Sequence, residues 1–197
     1  MKAGVAIGKI FGKIFLFMSI GFGFTHILVF SFFNGVASES FIDGFKSSFP
    51  DVVSEGFWLG LFFGISMSLV LGTWHFISII RLAYGINKET LGVNHIRKIG
   101  FFLPYDDAFD LAIGSTKIIC NCKVQINDRP TGKIIAKVGS NWKTWGDEIT
   151  LLVHRLDEER SVIKIQSRPI LSTQFIDYGK NLENVETIRS YLMNHGA

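Results

Sequence analysis

The sequence predicts a membrane-anchored α+β protein: a two-helix transmembrane hairpin followed by a two-layer α-β-β-β-β-α domain with an antiparallel four-stranded sheet. Three observations support this prediction. Two uncharged apolar runs, residues 14–33 and 57–80, are each long enough to cross about 30 Å of hydrocarbon as a helix. Four later segments alternate apolar and polar residues, which is the period of half-buried strands. Helix-like segments precede and follow those four segments.

The hairpin is predicted over residues 1–81, with residues 34–56 as its outer loop. Three lysines precede the first span and four basic residues follow the second, at positions 81, 88, 97 and 98, whereas the loop has one lysine among four acidic residues. This asymmetry predicts a bacterial inner (cytoplasmic) membrane protein with both termini cytoplasmic. The first run exceeds the apolar core of a signal peptide, which is about 7–15 residues long, so we expect it to remain as a span.

Small residues recur at every fourth position of the second span, as Gly56, Gly60, Gly64, Ser68 and Gly72. Lipid offers no hydrophobic drive to pair helices, so close backbone approach along such a stripe supplies the contact. The stripe therefore predicts tight membrane helix packing. The sequence leaves three partners open: the first span, another copy of the chain, or a different protein.

The outer loop contains Phe41, Phe45 and Phe49, spaced by four residues and followed by Pro50. This spacing places the three rings on one side of a short helix. Such a helix is suited to the outer headgroup region. The alternative is that the rings pack against the ends of the two spans.

No metal site and no cofactor are predicted. Cys120 and Cys122 form a C-x-C pair on a predicted strand without the further ligands that zinc requires, so we expect both to be buried, reduced core residues. His26 and His75 are predicted to lie roughly 10–15 Å apart along the membrane normal, too far to share a metal ion. We interpret His75, beside Trp74, as an interfacial anchor.

A basic connector is predicted over residues 82–99 and the cytoplasmic α+β domain over residues 100–197. The domain opens with a helix after Pro104, because acidic residues follow in the first turn. Strands are predicted around residues 118–126, 134–138, 149–153 and 163–165, joined by polar turns of hairpin length. The closing helix has Asn181 as its expected N-cap and an apolar stripe that includes Leu182, Val185 and Ile188.

The segments Val162-Ile-Lys-Ile-Gln-Ser-Arg-Pro and Asp177-Tyr-Gly-Lys-Asn-Leu-Glu-Asn resemble a C-terminal signature of uncharacterised bacterial domains. In that signature, a strand ending near Ser-Arg leads to D-x-G-x-N and a final helix. Here a longer insert, residues 169–176, separates the two parts. The resemblance implies this fold for roughly the last 35 residues and implies no activity.

Two groups of residues are candidates for partner contact. The first group surrounds the loop before the last helix and consists of Arg168, Asp177, Tyr178 and Asn181. Purely structural roles are an alternative for these residues: Asn181 as the helix cap, Gly179 with a positive φ, and Arg168 paired with Asp177.

The second group is Trp142 and Trp145, in a loop between two strands. If exposed, their rings would serve as partner or membrane-surface anchors, and the alternative is that they cover the open end of the sheet.

No catalytic or nucleotide-binding motif is present, and a net charge of +3 is too small to argue for nucleic acid. The sequence therefore predicts a non-enzymatic interaction or regulatory module in contact with membrane lipid, a small subunit or accessory protein of a bacterial membrane assembly. The second hypothesis is a small homo-oligomeric channel or membrane effector gated by its cytoplasmic domain. Either a protein partner or a second copy of the chain is expected to pack along the second span.

Overall fold

Two long helices open the fold, and a five-stranded antiparallel sheet with two further helices follows. The computed structural model of the protein describes residues 3–83 and 89–196. Chain contacts divide it into two compact units, Ala3–Phe76 and Ile77–Ala197. The helices are α1 (Ala3–Ala37), α2 (Phe41–Leu82), α3 (Tyr105–Thr116) and α4 (Lys180–His195). The strands are β1 (His95–Phe101), β2 (Cys122–Asp128), β3 (Lys133–Val138), β4 (Asp147–Arg155) and β5 (Ser161–Pro169).

Helices α1 and α2 are long and apolar enough to cross a membrane, so two such helices are confirmed by length and composition. Both extend beyond the predicted spans, and residues 38–40 alone separate them. The predicted outer loop is therefore mostly helix. The rings of Phe41, Phe45 and Phe49 stack along α2 with centroid separations of 6.2 and 5.4 Å, and Phe41 meets Phe32 of α1 edge-on at 6.1 Å.

The stripe of small residues on α2 faces α1. A Cβ on Gly60 would lie 2.6 Å from the Ser19 carbonyl oxygen, and one on Gly56 would lie 3.0 Å from that of Gly23. Ser68 donates a hydrogen bond from its hydroxyl to the Phe11 carbonyl oxygen at 2.8 Å. Of the partners that the sequence left open, the first span is the one in contact with this stripe.

The sheet has the strand order β1-β5-β4-β3-β2, with every neighbouring pair antiparallel. The predicted α+β class with an antiparallel sheet is confirmed, but the prediction of four strands is wrong. The additional strand, β1, begins in the predicted basic connector and crosses the predicted domain boundary at residue 100. Arg97 occupies an inward position of β1, where Glu186 of α4 neutralises it at 2.8 Å. That inward charge hides the apolar alternation by which strands are recognised.

Strand β2 begins at Cys122 rather than near residue 118, so the predicted alternation over 118–126 is wrong. Cys120 is exposed in the turn after α3 and Cys122 is half-buried, which corrects the expectation of two buried core cysteines. A register shift between Val124 and Ile126 also interrupts the predicted alternation, so the apolar side chains of this segment do not all share one face of the sheet. β2 is an edge strand, and most of its side chains are exposed.

The core of the second unit lies between one face of the sheet and the two helices α3 and α4. Inward side chains alternate with outward ones along β3, β4 and β5, so each of these strands contributes every second residue. The principal buried residues are Ala108, Phe109 and Ala112 of α3, Ile134, Ile149, Leu151, Ile163 and Ile165 of the sheet, and Val185, Ile188 and Leu192 of α4.

Candidate partner-binding site at the end of the sheet

The tryptophan loop, residues 139–146, joins β3 to β4 and is held by its own hydrogen bonds. The Asn141 side-chain oxygen accepts from the backbone N–H groups of Lys143 and Thr144 at 2.8 and 3.2 Å. The Asn141 N–H donates to the Thr144 carbonyl at 2.9 Å. Gly146 closes the loop with φ +104°, a conformation that other residues rarely adopt. The loop is therefore an ordered platform.

Two tryptophan side chains project from this platform into solvent. Trp142 is 69% exposed and Trp145 is 76% exposed. The Trp142 ring lies 5.7 Å from the Tyr178 ring and 5.5 Å from the Lys143 ammonium group. The Trp145 backbone N–H donates to the Gln174 side-chain oxygen at 3.3 Å. Of the two alternatives that the sequence left open, the structure shows exposed rings rather than rings that cover the open end of the sheet.

Beneath the loop lies a fully buried polar network that joins β4, β5 and the start of α4. The Asn181 side-chain N–H group donates to Asp147 and Asp177, both at 3.0 Å. The Ser167 hydroxyl donates to the side-chain oxygen Oδ1 of Asn181 at 2.7 Å. Asn184 donates to the second oxygen of Asp147 at 3.3 Å. Because buried polar groups are costly unless satisfied, this network holds α4 in one position against the sheet.

The prediction that Asn181 is the N-cap of the last helix is wrong. Helix α4 begins after Gly179, which has φ +74°, and Asn181 belongs to its first turn. Asp177 serves the capping role: its carboxylate accepts from the backbone N–H of Gly179 at 3.1 Å and from that of Asn181 at 2.9 Å. A carboxylate near the helix N-terminus also complements the helix dipole.

The predicted cluster of Arg168, Asp177, Tyr178 and Asn181 does not form one site. Arg168 pairs with Glu148 at 2.7 Å rather than with Asp177, which corrects that expectation. Its neighbour Ser167 is buried, so Arg168 points to the opposite face of the sheet. Asp177 and Asn181 are buried in the network, and Tyr178 joins Trp142 at the surface.

Burial and two lysines determine whether the titratable side chains near Trp142 are charged. Burial alone would raise the pKa of Glu183, but the hydrogen bond from Lys143 and the charge of Lys180 bring that pKa below its ordinary value. Burial raises the pKa of the Tyr178 hydroxyl. Glu183 is therefore anionic and Tyr178 neutral near pH 7. The exposed surface around Trp142 combines aromatic rings with a paired acid and base.

Asp147 and Ser167 were absent from the sequence-predicted site, although a usable signal existed. The alternation that places Ile149, Leu151 and Val153 inward reaches Asp147 when it is continued back along β4. The same alternation on β5 extends from Ile165 to Ser167. Polar residues at inward positions of two neighbouring strands indicate a buried polar network.

The arrangement is suited to binding a partner. Across residues 3–83 and 89–196, no three histidine, cysteine or acidic side chains are grouped to hold a metal ion. The exposed tryptophan rings on an ordered loop, with the half-buried Tyr178 ring beside Trp142, provide a large contact area with little conformational freedom to lose.

No protein-family model matches the chain, and no curated protein matches it. It is similar in part to the Zhui aromatase/cyclase from Streptomyces sp. R1128, with 10% identity and a TM-score of 0.32 over 51% of this chain and 84% of that one. It is also similar to Ara h 8.0201, with 8% identity and a TM-score of 0.34 over 52% of this chain and 98% of that one. At these scores neither similarity carries an argument about function.

Proposed function

We propose that the chain is a membrane-anchored, non-enzymatic interaction module, a small subunit or accessory protein of a bacterial membrane assembly. Helices α1 and α2 anchor it in the inner membrane, and the basic residues at their flanks support a cytoplasmic location for the domain and both termini. The domain presents the tryptophan loop to a protein partner.

One observation carries this proposal: two exposed tryptophans stand on a loop whose backbone is fixed by hydrogen bonds. Two large aromatic side chains exposed within one short loop, unlike a single exposed apolar residue, are typical of an interaction surface. Tryptophan and tyrosine are also enriched among the residues that dominate binding energy at interfaces. The buried network under the loop supports this role, because it holds Tyr178 and the start of α4 beside Trp142.

The second hypothesis, a homo-oligomeric channel, depended on the small-residue stripe of α2 facing another copy. In this chain the stripe lies against α1 instead. We therefore place the partner contact on the domain rather than along the second helix.

Replacing Trp142 and Trp145 together by alanine should abolish partner binding. Loss of a tryptophan at the centre of an interface costs about 2 kcal/mol or more, which is roughly a thirtyfold loss of affinity. The measurement is quantitative mass spectrometry of proteins that crosslink to the full-length chain in native membranes. We expect a defined set of chains to be depleted with the double variant.

Phe102→Ala is the matched control, because Phe102 is an aromatic residue of the same domain, 87% exposed and outside the tryptophan loop. That variant should leave the crosslinked set unchanged. Equal crosslinking by wild type, the double variant and the control would contradict the proposal that the tryptophan loop is the contact surface.

A further inference from the structure

The face of the sheet opposite α3 and α4, here called the outer face, is strongly basic. Strand register arranges its outward residues in rows that run across the strands. One row contains Lys123, Lys137, Glu148 and Arg168. A second row contains Asp128, Lys133, Leu152, Lys164 and Lys98. Cations thus outnumber anions on both rows.

Two pairs of lysines lie directly opposite each other in the strand register. Lys98 of β1 is paired with Lys164 of β5, and Lys123 of β2 is paired with Lys137 of β3. Directly opposed side chains have Cβ atoms about 4.5–5.5 Å apart, and like charges at that separation destabilise the sheet. An anionic partner would turn this repulsion into attraction.

Internal acids do not neutralise these lysines. In the part of the chain that the structure describes, none of the four paired lysines forms an ion pair. Glu148, beside Lys137 in the register, is bound to Arg168. The positive charge of the outer face is therefore available to a partner.

Between the two charged rows lies a largely apolar row. It consists of Ile126, Ile135, Thr150, Gln166 and Ile96. Ile96 and Ile126 are 42% and 43% exposed. Rows two residues apart along a strand are separated by about 7 Å, so the lysine rows flank a narrow apolar strip. Basic residues beside apolar ones are the combination that binds the boundary between lipid headgroups and acyl chains.

We propose that the outer face of the sheet binds anionic lipid headgroups, with the lysine rows contacting phosphates and the isoleucine row resting against the interface. The proposal rests on the membrane anchoring put forward above, since the anchor keeps the domain close to a bilayer. The cytoplasmic leaflet is the anionic one, and each lysine near such a surface strengthens binding about fivefold. That setting favours lipid over an acidic protein or a nucleic acid.

The test places a fluorophore on the outer face of the full-length chain in lipid nanodiscs. Cys120 and Cys122 are replaced by serine, and Thr150→Cys carries the label at the centre of the face. The discs contain phosphatidylcholine alone, or phosphatidylcholine with about a third phosphatidylglycerol to mimic the anionic leaflet. Both contain a headgroup quencher. We expect strong quenching only in the anionic discs, and its loss at high salt.

The variant that removes the lysine pairs, Lys98→Gln with Lys164→Gln, Lys123→Gln and Lys137→Gln, should lower the ratio of docked to undocked domain about a thousandfold. Quenching should fall to the level seen in neutral discs. The fold should persist, because the substitutions remove repulsion, and circular dichroism checks this. Lys117→Gln, outside the outer face, and a label at Asp107→Cys on α3 are the controls.

The outcomes separate the two proposals. A chain that does not enter the nanodiscs overturns the membrane anchoring and this inference with it. A chain that enters them but is quenched equally in both lipids overturns the lipid assignment alone. Lysine-dependent binding of a polyglutamate peptide or an oligonucleotide, with equal quenching in both lipids, assigns the face to that partner instead.

Discussion

At the scale of single residues, the buried carboxylate of Asp147 determines how the network responds to pH. Burial raises the pKa of Asp147, and the nearby charge of Asp177 raises it further. Hydrogen bonds from Asn181, Thr144 and Asn184 act in the opposite direction but do not offset the burial. The folded state therefore holds the Asp147 proton more tightly than the unfolded state does.

A raised pKa in the folded state has a defined sign for stability. The contribution of Asp147 is fully present below its unfolded pKa, and it decreases as the pH rises toward the folded value. Relative to Asp147→Asn, which does not titrate, the wild-type domain should lose up to about 1.4 kcal/mol per pH unit in that window. Urea unfolding followed by tryptophan fluorescence between pH 4 and pH 7 measures the difference. A difference that is constant or grows with pH would contradict the assignment.

At the scale of elements, the contact between α1 and α2 depends on glycine. A Cβ on Gly23 would lie 2.7 Å from the Gly56 carbonyl oxygen and 3.5 Å from the Gly60 Cα. A Cβ on Gly21, two residues earlier on the same helix, would meet nothing within 4 Å. One turn of α1 thus contains a glycine that the packing requires and one that it does not.

Gly23→Leu should separate the two helices, whereas Gly21→Leu should not. Overpacking costs about 1–3 kcal/mol, which lowers the closely packed population roughly 5- to 160-fold. The measurement is the disulfide yield between cysteines introduced at Phe22 and Phe63, whose rings stack at 4.2 Å across the two helices. Equal yields from both leucine variants would show that close backbone approach at Gly23 is dispensable.

At the scale of the whole molecule, β1 decides where the domain that contains the sheet can be cut from the rest of the chain. The sequence placed that boundary at Gly100, inside β1. Cutting there would remove residues 95–99, most of the ladder that pairs with β5 from His95–Ser167 to Phe101–Ser161. It would also leave Glu186 without the guanidinium of Arg97. A new unpaired edge at β5 would then template aggregation.

A fragment that begins at Ile77, where the second unit begins, should be soluble and unfold cooperatively. The fragment that begins at Gly100 should aggregate or remain unfolded. Size-exclusion chromatography with urea unfolding distinguishes the two. A folded, monomeric Gly100 fragment would mean that β1 is not needed for the sheet.

We predict that both termini face the cytoplasm and that the segment around Ser47 faces the outside of the cell. With Cys120 and Cys122 replaced by serine, a cysteine at Ser47 should react with an impermeant maleimide added to intact cells. A cysteine at Asn194 should react only after permeabilisation. The reason is the excess of lysine and arginine before the first span and after the second, compared with the loop between them. The reverse labelling pattern would overturn the cytoplasmic assignment of the domain and of both termini.

The sequence by itself determined the elements whose signal is local. Two long apolar runs predicted α1 and α2, and alternation predicted the inward residues of β3, β4 and β5. Proline followed by acidic residues predicted a helix that does begin at Tyr105. Each of these signals comes from side chains a few residues apart, which a linear pattern can show.

Features that depend on contacts between residues far apart in the sequence were visible only in the tertiary structure. The charge of Arg97 at an inward position breaks the apolar alternation of β1, so the sequence pattern did not reveal this strand. The fold accommodates that charge because Glu186, 89 residues away, neutralises it. The register shift in β2 changed which of its side chains face the core. Arg168 pairs with Glu148 and therefore does not contact Asp177. The stripe of α2 predicted close packing, but its facing helix was decided by the folded chain. Periodicity reports which face of an element is buried, whereas the partner on that face is set by contacts that no local pattern contains.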